Sequence, residues 1–269
     1  MDPRQACLDC LAQEPPALFE AALWIAAEHL PAYSPAHALR ELDELVRQIG
    51  ASLDDRASAS ERAQGLLRRM SEQGFCEDDD FPLQPRSALL PLVLQRRQGQ
   101  PLSLALVAME LARRLDIPLV GVNFPGRFLL RVPQADHLLD PATGRRLYTP
   151  DCRELLRLQG PKSELQAAYL KQASPGEILQ RLSRNLRQLH SAAGEPLAAL
   201  KDAQRVIELG PVGAADHEAR AGLYRQLDCP QAERYDLERA LLLSDDPTEQ
   251  LRLGQRLGEL APPTGRALH

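Results

Sequence analysis

The chain has 269 residues, enough for two domains or for one large domain with an appendage. Hydrophobic residues make up 44% and charged residues 26%, proportions that exclude collagen-like, mucin-like and wholly disordered chains. The 32 Lys and Arg against 37 Asp and Glu give a net charge of -5. This balance lacks the basic excess that neutralises a phosphate backbone, so nucleic acid is not expected as the main partner.

Apolar stretches such as residues 17–27 are too short for a membrane span, which needs about 20 apolar residues. The first residues lack the basic and then apolar pattern of a secretory signal. Five Cys, an odd number spread along the chain, argue against a disulfide framework. These features predict a cytoplasmic protein with no membrane partner; they leave its oligomeric state open.

From residue 3 to residue 74 apolar residues recur three and four apart, which predicts three or four amphipathic helices. Pro35 is placed to open one of them and Gly50 to end it, while Ser58 and Gly74 bound another. The acidic residues 77–80 are expected to form a solvated turn, because consecutive Asp residues lack the ligand spacing of a calcium loop.

Two helices are predicted next, at 87–98 and 102–115, and the second is apolar enough to be buried. Short β-branched or aromatic runs at 117–124, 128–132 and 138–139 then predict a small antiparallel sheet, and the chain after residue 150 is expected to be helical. The predicted fold class is therefore α+β and mostly helical.

The last ninety residues contain an internal repeat. Pro196 and Pro230 are 34 positions apart, and so are Asp202 and Asp236. A 34-residue period is that of tetratricopeptide helix pairs, which stack on their neighbours and build binding surfaces. An unrelated helical hairpin is the alternative. The predicted organisation is a helical segment at 1–76 packing on the core, a core at 77–174 and a helical module at 175–269.

Metal and nucleotide signatures are absent from the sequence. Cys7 and Cys10 form a C-x-x-C pair with no second pair, so we interpret them as small apolar residues one helical turn apart. The six His residues, which include His269, show no ligand spacing, and no phosphate-binding glycine motif occurs. No metal and no cofactor are predicted.

The most informative motifs lie at 85–87, 96–104, 121–131 and 140–144. Their order resembles that of the bacterial transglutaminase-like proteins with C-terminal tetratricopeptide repeats, the Sir-B invasion-regulator type. The resemblance covers nearly the whole chain. It implies a papain-like core in which a Cys at a helix N-terminus, a His and an Asp form a catalytic triad.

Carried over residue by residue, the three triad positions are Ser103, Arg127 and Asp140. A serine hydroxyl needs an adjacent base, and a guanidinium with a pKa above about 12 cannot accept a proton. A triad of these three residues therefore cannot catalyse a reaction by the mechanism that the resemblance implies. His137 could replace the base only with a bulge or loop before Asp140, because a three-residue step places two strand residues on opposite faces.

Arg127 has two open interpretations: a bidentate ion pair with Asp140, or a cation that binds a carboxylate or phosphate together with Arg86 and Asn123. The favoured hypothesis is a degenerate, non-catalytic transglutaminase-like domain whose repeats bind a protein or peptide. The alternative is a serine-dependent hydrolase or acyltransferase that uses Ser103.

Overall fold

The computed structural model describes residues 2–160 and 164–260, so His269 lies outside the described residues. Within these ranges the fold is a mostly helical α+β arrangement, as predicted, with twelve α-helices and short strands. The chain divides into two compact units between Leu182 and Ser183. The division into 1–76, 77–174 and 175–269 stays a prediction.

The N-terminal quarter forms four helices, which confirms the predicted three or four. Ser58 and Glu61 form a reciprocal capping box that starts the fourth helix, and Pro35 occupies the first turn of the third. The bounds are α1 (Pro3–Leu11), α2 (Leu18–Ala27), α3 (Pro35–Gly50) and α4 (Ala59–Glu72).

The next segment alternates two-residue strands with helices. The elements are β1 (Cys76–Glu77), a 3-10 turn (Pro85–Ser87), α5 (Leu90–Arg96), β2 (Gln98–Gly99) and α6 (Pro101–Arg114). The predicted single helix at 87–98 is wrong at its start, because Leu89 is extended and Pro91 fits only the first turn of a helix. Strands β1 and β2 pair in parallel and were not predicted, since two residues show no alternation.

The antiparallel sheet follows as β3 (Val120–Val122), β4 (Leu129–Arg131), β5 (Leu138–Leu139) and β6 (Arg146–Leu147), in that spatial order. The first three strands lie inside the predicted runs. The fourth was missed because Arg146 and Leu147 show no strand pattern of their own. Strand β5 pairs with both β4 and β6 and is buried along its length.

Helix α6 is the centre of the first unit. Its residues from Leu102 to Ala108 are almost fully excluded from solvent, as the apolar run predicted. It contacts α2, α3, α4, α5 and the strands β1 to β4. Cys7 and Cys10 are buried on α1, as expected for small apolar residues, and burial raises the pKa of the Cys10 thiol.

The remaining elements are helical. They are α7 (Thr149–Arg157), a 3-10 turn (Ala167–Leu170), α8 (Pro175–Ala192), α9 (Pro196–Glu208), α10 (Ala214–Gln226), α11 (Pro230–Leu243) and α12 (Pro247–Glu259). In the second unit α9 contacts α10, α10 contacts α11, and α11 contacts α12. Both α9 and α11 begin at prolines separated by the predicted 34 positions. None of the helices in the described ranges has the length and apolar character that a bilayer span requires.

Candidate functional site

Ser103 occupies the third position of α6, the place where a helix N-terminus can stabilise an anion. Its side chain is fully buried, and its Oγ donates a long hydrogen bond of 3.5 Å to the carbonyl oxygen of Ala88. In the described part of the chain, no histidine nitrogen lies within hydrogen-bond distance of this hydroxyl. The predicted nucleophile therefore has neither a base nor access to solvent.

A tight turn places Arg127. The turn is closed by a hydrogen bond of 3.3 Å from the Arg127 N–H to the Phe124 carbonyl. Pro125 is its second residue and Gly126, with φ of 74°, its third. A type II turn requires positive φ at the third position, which glycine adopts without steric cost. The Pro-Gly pair thus brings Arg127 to the start of β4.

Asp140 is fixed by its own loop. Its Oδ1 accepts hydrogen bonds of 3.0 Å from the N–H groups of Ala142 and Thr143 and from the Thr143 hydroxyl. Gly144 closes the loop with an N–H bond of 2.9 Å to the Asp140 carbonyl. One carboxylate oxygen is therefore saturated locally, and only Oδ2 is left to face another element.

Arg127 binds that remaining oxygen. Its Nε lies 3.0 Å and its Nη2 2.8 Å from Oδ2 of Asp140. The expected ion pair exists, but the bidentate geometry is wrong: both donors converge on one oxygen, because the loop already occupies the other. In this structure Arg127, the position at which the resemblance implies a catalytic base, is a cation bound to Asp140, the position of the implied acid.

Glu77 is a third member of this cluster, and its role was not predicted from the sequence. Arg127 Nη1 lies 3.3 Å from Glu77 Oε1 and Nη2 lies 2.7 Å from Oε2, a true two-pronged contact. Burial lowers the pKa of Arg127, but the hydrogen bonds and charges of Glu77 and Asp140 outweigh it, so the pKa is raised above its ordinary value. The guanidinium therefore stays charged.

The acidic segment, residues 77–80, is not a solvated turn. The Asp78 side chain is only 1% exposed and accepts hydrogen bonds of 2.7 Å from Ser87 Oγ and from Arg96 Nη1. Burial raises its pKa, but the bonds from Arg96 and Ser87 reverse this and hold the pKa at about 2. Consecutive acids suggested solvation, whereas parallel pairing of β1 with β2 turns Asp78 inward.

Arg86 also binds the acidic segment. Its Nε lies 3.1 Å from Asp80 Oδ2, and Arg96 Nη2 approaches the same oxygen at 3.5 Å. Three guanidinium groups are thus held by three carboxylates of one tetrapeptide. The binding set predicted around Arg127 needs Arg86 to be available, yet this side chain is engaged by Asp80.

Asn123 is engaged elsewhere. Its Oδ1 accepts a hydrogen bond from Arg181 Nη1, and the same nitrogen lies 2.8 Å from the carbonyl oxygen of Phe124. The bonds of Asn123 and of Arg86 have no partner in common. The structure therefore brings together Arg127 and Asp140 but does not join Arg86 and Asn123 to them through any shared contact in the described residues.

His137 does not supply the missing base. Its Nδ1 lies 2.9 Å from Asp136 Oδ1, and its Nε2 lies 3.1 Å from the hydroxyl of Ser60 on α4. The ring is buried and packs 5.6 Å from the ring of Tyr148. Both ring nitrogens are therefore committed to groups other than Ser103 and Asp140.

Comparison with known proteins gives one family. The model of the transglutaminase-like superfamily matches residues 36–184, which include Ser103, Arg127 and Asp140. A UPF0162 protein of Pseudomonas aeruginosa is 99% identical over 270 residues and covers all of both chains. A UPF0162 protein of Xylella fastidiosa is 38% identical over 177 residues, 63% of each chain.

A third relative is the protein SirB1 of Salmonella typhimurium. It is 27% identical over 202 residues, which make up 73% of this chain and 75% of the relative. No solved structure matches the chain.

Proposed function

Because this chain belongs to the transglutaminase-like superfamily, we propose that it is a non-catalytic member that acts by binding a protein or peptide partner. One observation carries this proposal. Arg127 stands at the position of the base and is bound to Asp140 and Glu77. A guanidinium cannot take a proton from a nucleophile at any physiological pH.

The state of Ser103 supports the same conclusion. A serine hydroxyl becomes a nucleophile when an adjacent base removes its proton. Ser103 Oγ instead donates to a backbone carbonyl inside the core. At the third position of α6, Ser103 is a small buried polar residue whose hydroxyl is satisfied by this hydrogen bond.

The second unit supplies candidate binding surface. Several large apolar side chains there are exposed: Leu197, Tyr235, Leu242, Leu243 and Leu251. They lie on α9, α11 and α12, and exposed apolar patches are typical of surfaces that bind other proteins. We take α9 to α12 as tetratricopeptide-like pairs on the strength of the 34-residue period, and we assign partner binding to them. A cytoplasmic location is part of the proposal, because the chain has five Cys, an odd number that does not suggest a disulfide framework.

Labelling with a fluorophosphonate probe tests the absence of catalysis. The purified chain and its Ser103→Ala variant are incubated with the probe beside an active serine hydrolase as positive control. We expect no labelling of either form. Labelling of the wild type that disappears in Ser103→Ala would overturn the proposal and establish the serine-dependent hydrolase or acyltransferase instead.

Chemical crosslinking of the full chain, followed by capture of the proteins bound to it, tests the binding role. We expect a captured partner to be lost with Leu242→Glu, which places a charge on the exposed face of α11. The matched control is Glu238→Gln on the same helix, whose side chain is half exposed and 3.7 Å from Arg234. Equal capture by both variants would remove the assignment to this unit.

A further inference from the structure

We propose that the first unit carries a second binding site: a groove beside β3 that takes an extended peptide with an apolar side chain next to a basic one. The site goes beyond the proposed function, because it uses neither the degenerate triad nor the C-terminal helices. Its walls come from the turn between α1 and α2, from α6, from β3 and from the start of α8.

The groove has the size and lining of a binding site. Its volume is about 410 Å³, within the range of roughly 300 to 1,000 Å³ that ligand sites occupy. Phe19, Leu106 and Ile178 form a buried apolar floor, and Met109 is a half-buried part of the wall. An aliphatic side chain would be shielded from water on this floor.

The edge of β3 that faces away from β4 is already used in main-chain hydrogen bonding, and the unpaired groups lie just before the strand, at Leu119. The Ala173 N–H donates 2.9 Å to the Gly121 carbonyl, and Val122 forms an antiparallel bridge with Gln172. This edge therefore already accepts strand pairing, which ends where Pro175 starts α8.

Leu119 lies two residues before Gly121, so its N–H and C=O face the same edge. Within the described residues Leu119 makes no backbone hydrogen bond, and it lines the groove. An unpaired strand edge is a template for an added strand. This edge is the reason to favour an extended peptide over a compact small molecule.

The charge of the groove selects a basic partner. Arg113 donates to both oxygens of Glu110 at 2.7 and 2.8 Å, so these two charges cancel. The Glu20 side chain is exposed on the rim, and its charge adds to that of Glu110 in raising the pKa of Arg113. The net charge of the lining is therefore negative, and a Lys or Arg beside the apolar side chain would complement it.

Fluorescence anisotropy with defined peptides tests the site on the full chain. The probe is a fluorescein-labelled amide of the sequence Lys-Val-Leu-Val-Lys-Val, and the matched peptide has Glu in place of each Lys. Two further probes carry N-methyl groups on alternate residues, one set on each edge of the strand. Only one edge of the added peptide faces Leu119, so only one N-methylated peptide should lose binding.

We expect saturable binding of the Lys peptide that weakens about tenfold with the Glu peptide and with Glu20→Lys. Asp79→Lys makes the same charge change at an exposed residue away from the groove and should leave the Kd unchanged. Met109→Trp should abolish binding, because the larger side chain fills the groove. If the Met109→Trp variant does not fold, the surface variant Glu20→Lys tests the site.

No binding of any probe, equal loss with both N-methylated peptides, or a Kd indifferent to Glu20→Lys would each overturn the site. The test is separate from that of the proposed function. Leu242→Glu, which disrupts the surface assigned to the second unit, should leave the Kd of the Lys peptide unchanged.

Discussion

Arg127 and Asp140 meet through a single oxygen: Nε and Nη2 of the arginine lie 3.0 and 2.8 Å from Oδ2 of the aspartate. The other oxygen is held by Ala142 and Thr143, so the orientation of Asp140 does not depend on Arg127. The loop that would hold an acid toward a base is intact, and the group it meets is a permanent cation. The cluster is therefore an ordered ionic contact beside an intact loop.

Replacement of Arg127 by alanine should destabilise the protein. Arg127→Ala leaves the carboxylates of Glu77 and Asp140 facing each other without a counter-charge. Removal of one partner from a partly buried ionic cluster leaves the remaining charges without a counter-charge. We therefore expect a loss of about 2 kcal/mol in the free energy of unfolding. Urea denaturation at pH 7 measures it.

Arg86→Ala is the matched control. This side chain is 47% exposed and contacts Asp80, itself partly exposed, so its loss should cost under about 1 kcal/mol. Equal losses for Arg86→Ala and Arg127→Ala would show that the cluster around Asp140 has no special weight in stability.

Asp78 should contribute stability that depends on pH. Although burial opposes ionisation, Arg96 and Ser87 hold the pKa of Asp78 at about 2 in the folded chain. The pKa of an Asp in the unfolded chain is near 4, so the depressed pKa stabilises the folded state by about 2 kcal/mol at any pH above that value. This contribution is lost as the pH falls from about 4 to 2.

Urea denaturation of the wild type and Asp78→Asn at several pH values tests this. The difference in the free energy of unfolding should be largest at pH 7 and should shrink below about pH 4. A difference that is constant or grows toward low pH would contradict the assigned ion pair with Arg96.

The helices could be predicted from the sequence because their starts are marked by local chemistry. Pro35 lacks an N–H group, and Ser58 and Glu61 accept hydrogen bonds from the free N–H groups at the start of α4. Both effects act within one helical turn and need no distant contact. Arg127 and Asp140 were expected to meet because the resemblance gave both as triad positions, and the hairpin of β4 and β5 brings them together.

The roles of Glu77 and Asp78 could not be predicted. Their burial and contacts depend on pairing of β1 with β2, two-residue strands whose partners lie 22 positions apart in the chain. A periodic pattern needs more residues than these strands contain. An acidic run therefore looked solvated, although the structure uses three of its four carboxylates to bind arginines.

Burial should keep a thiol at position 103 unreactive. In a Cys76→Ser, Cys229→Ser background, which removes the two exposed cysteines, Ser103→Cys places a thiol at the start of α6, where the resemblance implies the nucleophile. Because position 103 is fully buried, alkylation must wait for local opening that costs about 3 kcal/mol, a slowing of roughly 100-fold.

Iodoacetamide labelling followed by mass spectrometry measures the rate, with Cys76 of the wild type as the exposed reference. Alkylation of the new thiol as fast as that of Cys76 would show an open cleft and would reopen the catalytic interpretation. The expected result is alkylation roughly 100-fold slower than that of Cys76 under native conditions, and full reaction in urea.

Asp236 should be among the residues most important to the stability of the second unit. It is fully buried and accepts bonds of 2.7 and 2.8 Å from Arg220 and 2.9 Å from His217 Nδ1. Asp202, 34 positions earlier, is equally buried and binds His190 Nδ1 at 2.7 Å in the same way.

Asp236→Ala leaves the largely buried Arg220 without its counter-charge, so we expect a loss of about 3 to 5 kcal/mol in the free energy of unfolding. Glu238→Ala on the same helix is the control, because its side chain is 54% exposed and lies 3.7 Å from Arg234; it should cost about 0.5 kcal/mol or less. Denaturation followed by the far-ultraviolet signal of the helices measures both. If Asp236→Ala were as mild as Glu238→Ala, the buried acid would not be what holds α10 against α11.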